Sequence, residues 1–362
     1  MINDILSEII NQLSPISMIV FSLTNKNIHA LCLQNHHYQV FTQNISKIAC
    51  GSFFSMIIKN HQLYSFGSYD GQMEQFTPTL IHQNVISVHC GNYHAIFMTP
   101  KYIYGIGSNI TNQLGLTEFK NYNITKLPFN VDDVLLIACG SCHTFILLKQ
   151  GLYGFGQNRY GELALSPATY CPITPIPFTG RILQISCGYN HTVIRTKNGY
   201  YGYGLNTSAQ IGIDPIWENV ETIKVICGTT HTVYHTKNGV YGVGSNINGQ
   251  LGLGMANYVY VPTKINIDHV IDLCCGSDHT LFLTTDGLYG CGSSHHGELG
   301  LDSSCHLPGK INISGVKNMA CGDAHTIILT SNYMTFGSNR YSQLGLGKYK
   351  NKKYHIPQLL KL

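Results

Sequence analysis

The sequence predicts an all-β chain folded as a seven-bladed β-propeller, preceded by a short helical segment. Three observations carry this expectation: a two-part motif that recurs seven times in phase, strand-and-turn chemistry within each copy, and a composition rich in glycine and poor in charge. Charged residues make up 11% of the 362 positions and glycine supplies 37. An ordinary soluble protein carries roughly 25% charged residues. Many tight turns and much buried surface follow from such a balance.

The first half of the motif is Cys-Gly, at Cys50, Cys90, Cys139, Cys187, Cys227, Cys275 and Cys321. Successive cysteines are 40, 49, 48, 40, 48 and 46 residues apart. In six copies a histidine follows two residues after the glycine pair: His94, His143, His191, His231, His279 and His325, with Phe54 in that place in the first copy. The second half is clearest at Tyr241-Gly-Val-Gly-Ser-Asn-Ile-Asn-Gly-Gln-Leu-Gly252, with near-copies from Tyr104, Tyr153, Tyr201, Tyr289 and Phe336 and a degraded one at Tyr64. Self-similarity at a period of 40 to 50 residues is the signature of a propeller or a related array.

Each copy reads as a small antiparallel sheet. In the sixth, Val270–Cys275 is apolar and β-branched, and His279–Thr285 alternates toward a second strand. Asp286-Gly287 then suits a two-residue hairpin with positive φ at both central positions, as do Asn198-Gly199 and Asn238-Gly239. Leu288–Gly292 supplies a third strand and Gly297–Gly300 an exit turn. Segments such as Pro262–Ile267 suit an outer strand, where a missing N–H is tolerated. Sheets of about four strands cannot bury their faces alone, and packing them radially closes a ring. The C-terminal segment from His355 to Lys361 is expected to complete the first blade, with Tyr38–Thr42 as the competing candidate.

The Cys-Gly-x-x-His and Gly-x-Asn-x-x-Gly-Gln-Leu-Gly elements resemble those of the regulator-of-chromosome-condensation (RCC1) repeat family, from about residue 38 to the end. The expected division is residues 1–36 as a helical segment and 37–362 as an RCC1-like propeller.

In the N-terminal segment Ile5, Leu6, Ile9, Ile10 and Leu13 share a helical stripe, and Ser14-Pro15 reads as a cap opening a second helix. A third helix would carry Ile28, Leu31 and Leu33. This order resembles a small F-box, although Ile2-Asn3 replaces the usual opening Leu-Pro. The resemblance implies docking to a ubiquitin-ligase adaptor through Ile5, Leu6, Ile9, Leu13 and Pro15; the alternative is a helical cap on the propeller.

The candidate chemical groups read as structural. Six histidines in six different blades cannot converge, and each is expected to bond backbone within its own blade. The cysteines are expected to be small residues near a crowded axis. No CxxC pair gives zinc-ligand spacing, and the Gly-x-Gly pairs lack the helix a phosphate cradle needs. No cofactor, metal or catalytic residue is implied. The two positions between each Gly and His should reach one rim, where they either finish turns or meet a partner. Phe53, Tyr93, Tyr189, Asn190, Asp278 and Asp323 are the expected protein-binding residues there.

The leading expectation is a protein-interaction scaffold: a substrate-recognition subunit of a cullin-type ubiquitin ligase, with the propeller holding the target. The alternative is a guanine-nucleotide exchange factor or regulator of a small GTPase. Family resemblance implies that acidic residues at positions such as Asp278 and Asp323 contact the GTPase, but also an inserted β-wedge for which unit lengths of 40 to 49 leave no space. Tryptophan-based light sensing is excluded, because Trp217 is the only tryptophan. A net charge of +4 gives little support to nucleic-acid binding, and no apolar run is long enough to span a bilayer. The absence of a signal-like start and the thirteen cysteines suit the cytosol or nucleus. The Asn-, Ile- and Tyr-rich vocabulary suits an AT-rich genome such as that of a large DNA virus.

Overall fold

The computed structural model describes Ser7, Ile10, Leu13, Ser17, Met18, Cys32, Asn35 and residues 47–69, 75–118, 123–212, 221–348 and 352–362. Within them, 27 strands form seven antiparallel sheets, the blades, spanning residues 48–83, 87–126, 134–176, 182–204, 222–264, 270–311 and 318–360. Six blades have four strands, and the fourth has three among the described residues.

Blade six shows how sequence builds one unit. Val270–Cys275, His279–Thr284, Gly287–Gly292 and Cys305–Ile311 pair in chain order, innermost to outermost. The second strand is buried along almost its whole length. A Cβ on Gly290, in the third strand, would lie 2.9 Å from both Leu281 and Leu299. Glycine there lets the motif leucine plug the sheet, and Leu114, Leu163, Leu251 and Leu299 are all fully buried in this way, while Leu344 is as fully buried against Thr335. The hairpin differs from the expectation. Thr284 pairs Gly287, so the central residues are Thr285 and Asp286, and of these four only Gly287 has positive φ, at 142°. The Thr284 hydroxyl donates to the Gly287 carbonyl at 2.9 Å and so closes the turn. Only Asn60-His61 in blade one has two positive-φ central residues, at 51° and 61°.

The C-terminal segment does not complete the first blade. Lys353–Leu360 pairs Tyr333–Ser338 of its own blade seven, and blade one has its own outer strand, Gln75–Gln83. The physical reason is phase: each unit begins on the inner strand and finishes on the outer one, so the last segment completes the unit before it. Tyr38–Thr42, the competing candidate, lies outside the described residues. Closure is instead by face packing. Ile48, Ile57 and Phe66 of blade one bury against Ile327 and Leu360 of blade seven, as equivalent clusters do at the other six joints.

The histidines correct a second expectation. Each is fully buried and reaches the next blade, not its own backbone. The Nε2 atoms of His94, His143, His191, His231 and His279 lie 2.8, 2.9, 3.1, 3.2 and 3.3 Å from the hydroxyls of Thr144, Thr192, Thr232, Thr280 and Thr326. His325 closes the ring onto Ser55 at 2.8 Å. Five of these six hydroxyls spend their own proton on a carbonyl of the preceding blade: Thr144 donates to Gln113, Thr232 to Gln210, Thr280 to Gln250, Thr326 to Glu298 and Ser55 to Gln343. The hydroxyl must therefore accept from the ring, which places the histidine proton on Nε2. At the remaining joint both partners change together. Phe54 replaces histidine, Ala95 replaces threonine, and the contact becomes wholly apolar.

From the N-terminal segment, Ile10, Met18 and Cys32 are buried together with Leu13 packed against them.

Candidate functional site at the channel mouth

The Gly-x-x-His turns are made by bonds that leave no choice of residue at the glycine. Gly188 N–H donates to the His191 carbonyl at 2.8 Å. A Cβ there would lie 2.2 Å from the His191 ring and 2.5 Å from the Gly228 carbonyl of the next blade. Neighbouring turns also bond one another: Ser52 N–H to the Asn92 carbonyl at 2.9 Å, Ser141 to Gly188 at 3.1 Å and Ser277 to Asp323 at 3.2 Å. The turns thus form a collar round one mouth of the central channel, over a cavity of about 160 Å³.

The two residues within each turn point in different directions. In five turns the first faces the mouth, which Asn92, Tyr189, Thr229, Ser277 and Asp323 line, while Ser52 and Ser141 are buried. The second faces outward, onto the loop of the second motif in the preceding blade. Asn190 accepts from Gln157 at 2.8 Å, Asp278 from Gln250 at 3.3 Å, and Phe53 lies 4.5 Å from Tyr341 between ring centroids. Of the expected rim residues, Tyr189 and Asp323 therefore line the mouth, while Phe53, Asn190 and Asp278 belong to a surrounding ring. Tyr93 lies beside Phe53, 6.1 Å between centroids, and also within electrostatic reach of Tyr189 and Asp323. Burial raises the pKa of both Asp278 and Asp323, and the charge of each carboxylate that remains near Asp278 adds to its shift. These two acids thus hold protons more readily than exposed carboxylates do.

The second-motif loops present residues that the sequence reading left out. In five of the loops an asparagine side-chain carbonyl accepts from the motif leucine or isoleucine N–H, at 2.8 Å for Asn109–Leu114 and 2.9 Å for Asn158–Leu163, Asn206–Ile211 and Asn246–Leu251, with Asn339–Leu344 at 3.1 Å. The Gln or Glu accepts from the N–H two residues before it, as Gln250 does from Asn248 and Glu298 from His296. Only an acceptor oxygen is needed, which is why either residue serves. The pair after each asparagine is thereby held out toward solvent: Ile110, Tyr160 and Ile247 are exposed, and the Arg340 guanidinium stands 5.7 Å over the Tyr341 ring. The variable pair in Asn-x-x-Gly was the signal for them. The opposite face differs in chemistry, with exposed Lys59, Lys101, Lys149, Lys197 and Lys237 at or beside its hairpin turns.

Among the described residues no group of three or more His, Cys, Asp or Glu could hold a metal. Burial depresses His94, His143, His191, His231 and His325 to about 3, and His279 to about 4. Burial raises the ring thiols, Cys139 to about 12 and Cys227 to about 11, so they stay protonated. Ring thiols also tie blades together: Cys50 donates to the Ala320 carbonyl, Cys139 to His89 and Cys227 to Ser186. Of the expected N-terminal docking residues, Ile5, Leu6, Ile9 and Pro15 lie outside the described residues, and Leu13 is half-buried. No described helix is long and apolar enough to cross a membrane.

Known proteins agree with this architecture. The sequence matches the regulator of chromosome condensation (RCC1) repeat at residues 150–194, 237–283 and 286–329, and a second family of the same description at 134–162 and 270–298. No curated protein sequence matches. The fold is similar to yeast RCC1 (Prp20) in its crystal structure bound to Kap60, with 18% identity over 91% of this chain and 87% of that one and a TM-score of 0.74. A second structure of Prp20p, from Saccharomyces cerevisiae and described with its binding properties to Gsp1p and histones, gives 18% identity, 91% and 90% coverage and a TM-score of 0.74. Human WBSCR16 gives 21% identity, 80% and 85% coverage and a TM-score of 0.70. The chain carries RCC1 repeats in an RCC1-like seven-bladed propeller.

Proposed function

We propose that the chain is a protein-binding platform without catalytic activity, whose partner seats on the collar face around the channel mouth. One observation carries this reading: two motifs that build every blade converge on that face and leave only their variable positions exposed there. A rigid frame with variable tips is the arrangement that recognition surfaces use. Tyr93, Tyr189, Phe53 and Tyr341 supply large, stiff side chains, and Asp278 and Asp323 supply acidity, a mixture suited to a protein surface.

Two finer readings remain attached to it. In one, residues 1–36 dock a ubiquitin-ligase adaptor and the collar holds the target. In the other, the collar binds a small GTPase. Likeness in fold to Prp20, described with its binding to Gsp1p, supports the second, as do two acids on the collar. Against an exchange factor that works with a wedge, all 27 described strands belong to the seven blades.

Affinity capture tests these readings with four proteins: the full chain, a chain lacking residues 1–36, a Tyr93→Ala/Tyr189→Ala variant and an Asp278→Asn/Asp323→Asn variant. The platform reading expects the tyrosine variant to lose a partner that the full chain retains. A ligase adaptor lost only with residues 1–36 supports the first finer reading, and a GTPase lost with the two acids supports the second. Identical partners from all four proteins would overturn the platform reading.

A further inference from the structure

The inner strands break their own pattern at one place. At three other joints a ring thiol meets the carbonyl of the residue before the cysteine of the preceding blade: Cys50 meets Ala320, Cys139 meets His89 and Cys227 meets Ser186. In blade six that preceding residue is itself a cysteine, Cys274. Its equivalents in the other blades are Ala49, His89, Ala138, Ser186, Ile226 and Ala320. The thiol of Cys321 in blade seven accordingly meets sulfur, at 2.9 Å between Sγ atoms. Both cysteines are partly exposed and line a channel cavity of about 440 Å³. Its volume admits small solutes, and the Lys224–Asp272 ion pair beside Leu273 keeps part of that wall polar.

We propose that Cys274 and Cys321 are a peroxide-oxidised thiol pair, which closes into a reversible disulfide joining the inner strands of blades six and seven. A disulfide needs two sulfurs already in contact on backbones that need not move far, and neighbouring inner strands in a closed ring supply that. The oxidant is a hydroperoxide, of which hydrogen peroxide is the smallest. The Cys274 sulfur attacks one peroxide oxygen; an S–O bond forms, the O–O bond breaks, and the thiol proton leaves with the departing oxygen as water. Cys321 sulfur then attacks the Cys274 sulfur of the sulfenic acid. The S–S bond forms, the S–O bond breaks, and the Cys321 proton joins the departing hydroxide as a second water. Two electrons pass from the two sulfurs to one peroxide, and a dithiol reductant reverses the reaction. Burial holds the proton on Cys321, which fits Cys321 as the second sulfur and not the first.

The pair closes a loop whose ends are 47 residues apart. Cross-links of this kind restrict the unfolded chain and so stabilise the folded one.

The test treats the reduced full chain with one equivalent of hydrogen peroxide, blocks free thiols, and maps disulfides by mass spectrometry without reduction. The expected result is a peptide pair joined through Cys274 and Cys321, loss of two of the thirteen free thiols, and a rise of a few degrees in thermal midpoint. Dithiothreitol should reverse all three. Cys274→Ala, which installs the residue that three other blades use, should fold and lose both the cross-link and the peroxide-dependent rise; Cys321→Ser should behave alike. A cross-link that persists in Cys274→Ala, a link through Cys275, or oxidation that leaves both thiols open to alkylation would overturn the proposal.

Discussion

Mild acid should unfold this protein, and the size of the effect follows from the joints between blades. Six histidines are buried as neutral rings; five have folded-state values of about 3 and His279 of about 4. Both lie below the ordinary histidine value of about 6.5. The unfolded chain therefore binds protons first, and the stabilisation is complete above about pH 6.5 and lost as pH falls toward the folded-state values. Between about pH 7 and about pH 5 each ring costs about 2 kcal/mol of stability, and six together about 12 kcal/mol, comparable with the whole stability of a domain. Buried His89, depressed to about 4, adds to the same loss. Asp278 and Asp323 act in the opposite sense, since burial raises them, but only two groups are involved and their ordinary range lies lower. The assay is urea unfolding by circular dichroism at half-unit steps from about pH 7.5 to about pH 5. A stability that falls steeply below about pH 6.5, with about six protons taken up on unfolding at about pH 5, is expected. A flat profile, or histidine resonances of the folded chain titrating near pH 6.5, would refute the argument that these rings are dry and joined to the next blade.

The same joints give three mutational predictions. Thr232→Val keeps the side-chain shape but leaves the His191 N–H and the Gln210 carbonyl without a partner, and should cost about 1–3 kcal/mol in urea unfolding. At the apolar joint, Phe54→His alone should destabilise by a similar amount, about 1–3 kcal/mol, and adding Ala95→Thr should recover a measurable part of it in a double-mutant cycle, because it supplies the hydroxyl the other joints have. Gly188→Ala should reduce soluble folded protein severely, since its Cβ would meet the His191 ring and a backbone carbonyl, whereas Gly254→Ala, strained at φ 74° but with nothing within 4 Å, should cost only about 1–2 kcal/mol.

The fold was legible because its two motifs are bonded parts of one device. Glycine next to each ring cysteine, leucine after Gln or Glu, and histidine before a hydroxyl each answer a contact repeated round the ring. What escaped the sequence reading was direction. A motif shows that His191 needs a partner but not whether it lies in its own blade or the next. The clue was available in the joint loss of histidine at Phe54 and of the hydroxyl at Ala95, in adjacent units of the chain and packed together in space. Ring closure was misassigned because a cyclic repeat has no intrinsic starting strand, and a Pro-bearing edge segment such as Lys353–Leu360 looks alike wherever it docks.

The rim was legible only in part for a related reason. Adjacent residues of a two-residue turn face opposite ways, so Tyr189 and Asn190, or Ser277 and Asp278, could not be sorted into mouth and outer ring by position alone. Tyr341 and Arg340 were missed because they belong to the other motif, which meets the collar only after the blades close. Both rings now define one continuous face, and the lysines of the hairpin turns define the other.

The measurement that bears most directly on this account is amide hydrogen exchange of the full chain, free and bound to a captured partner. Protection is expected at the turns carrying Tyr93, Tyr189 and Asp323 and at the Arg340-Tyr341 loop, with the hairpins at Lys59, Lys149 and Lys197 unchanged. Protection confined to those lysine hairpins would place the partner on the opposite side of the ring and contradict it.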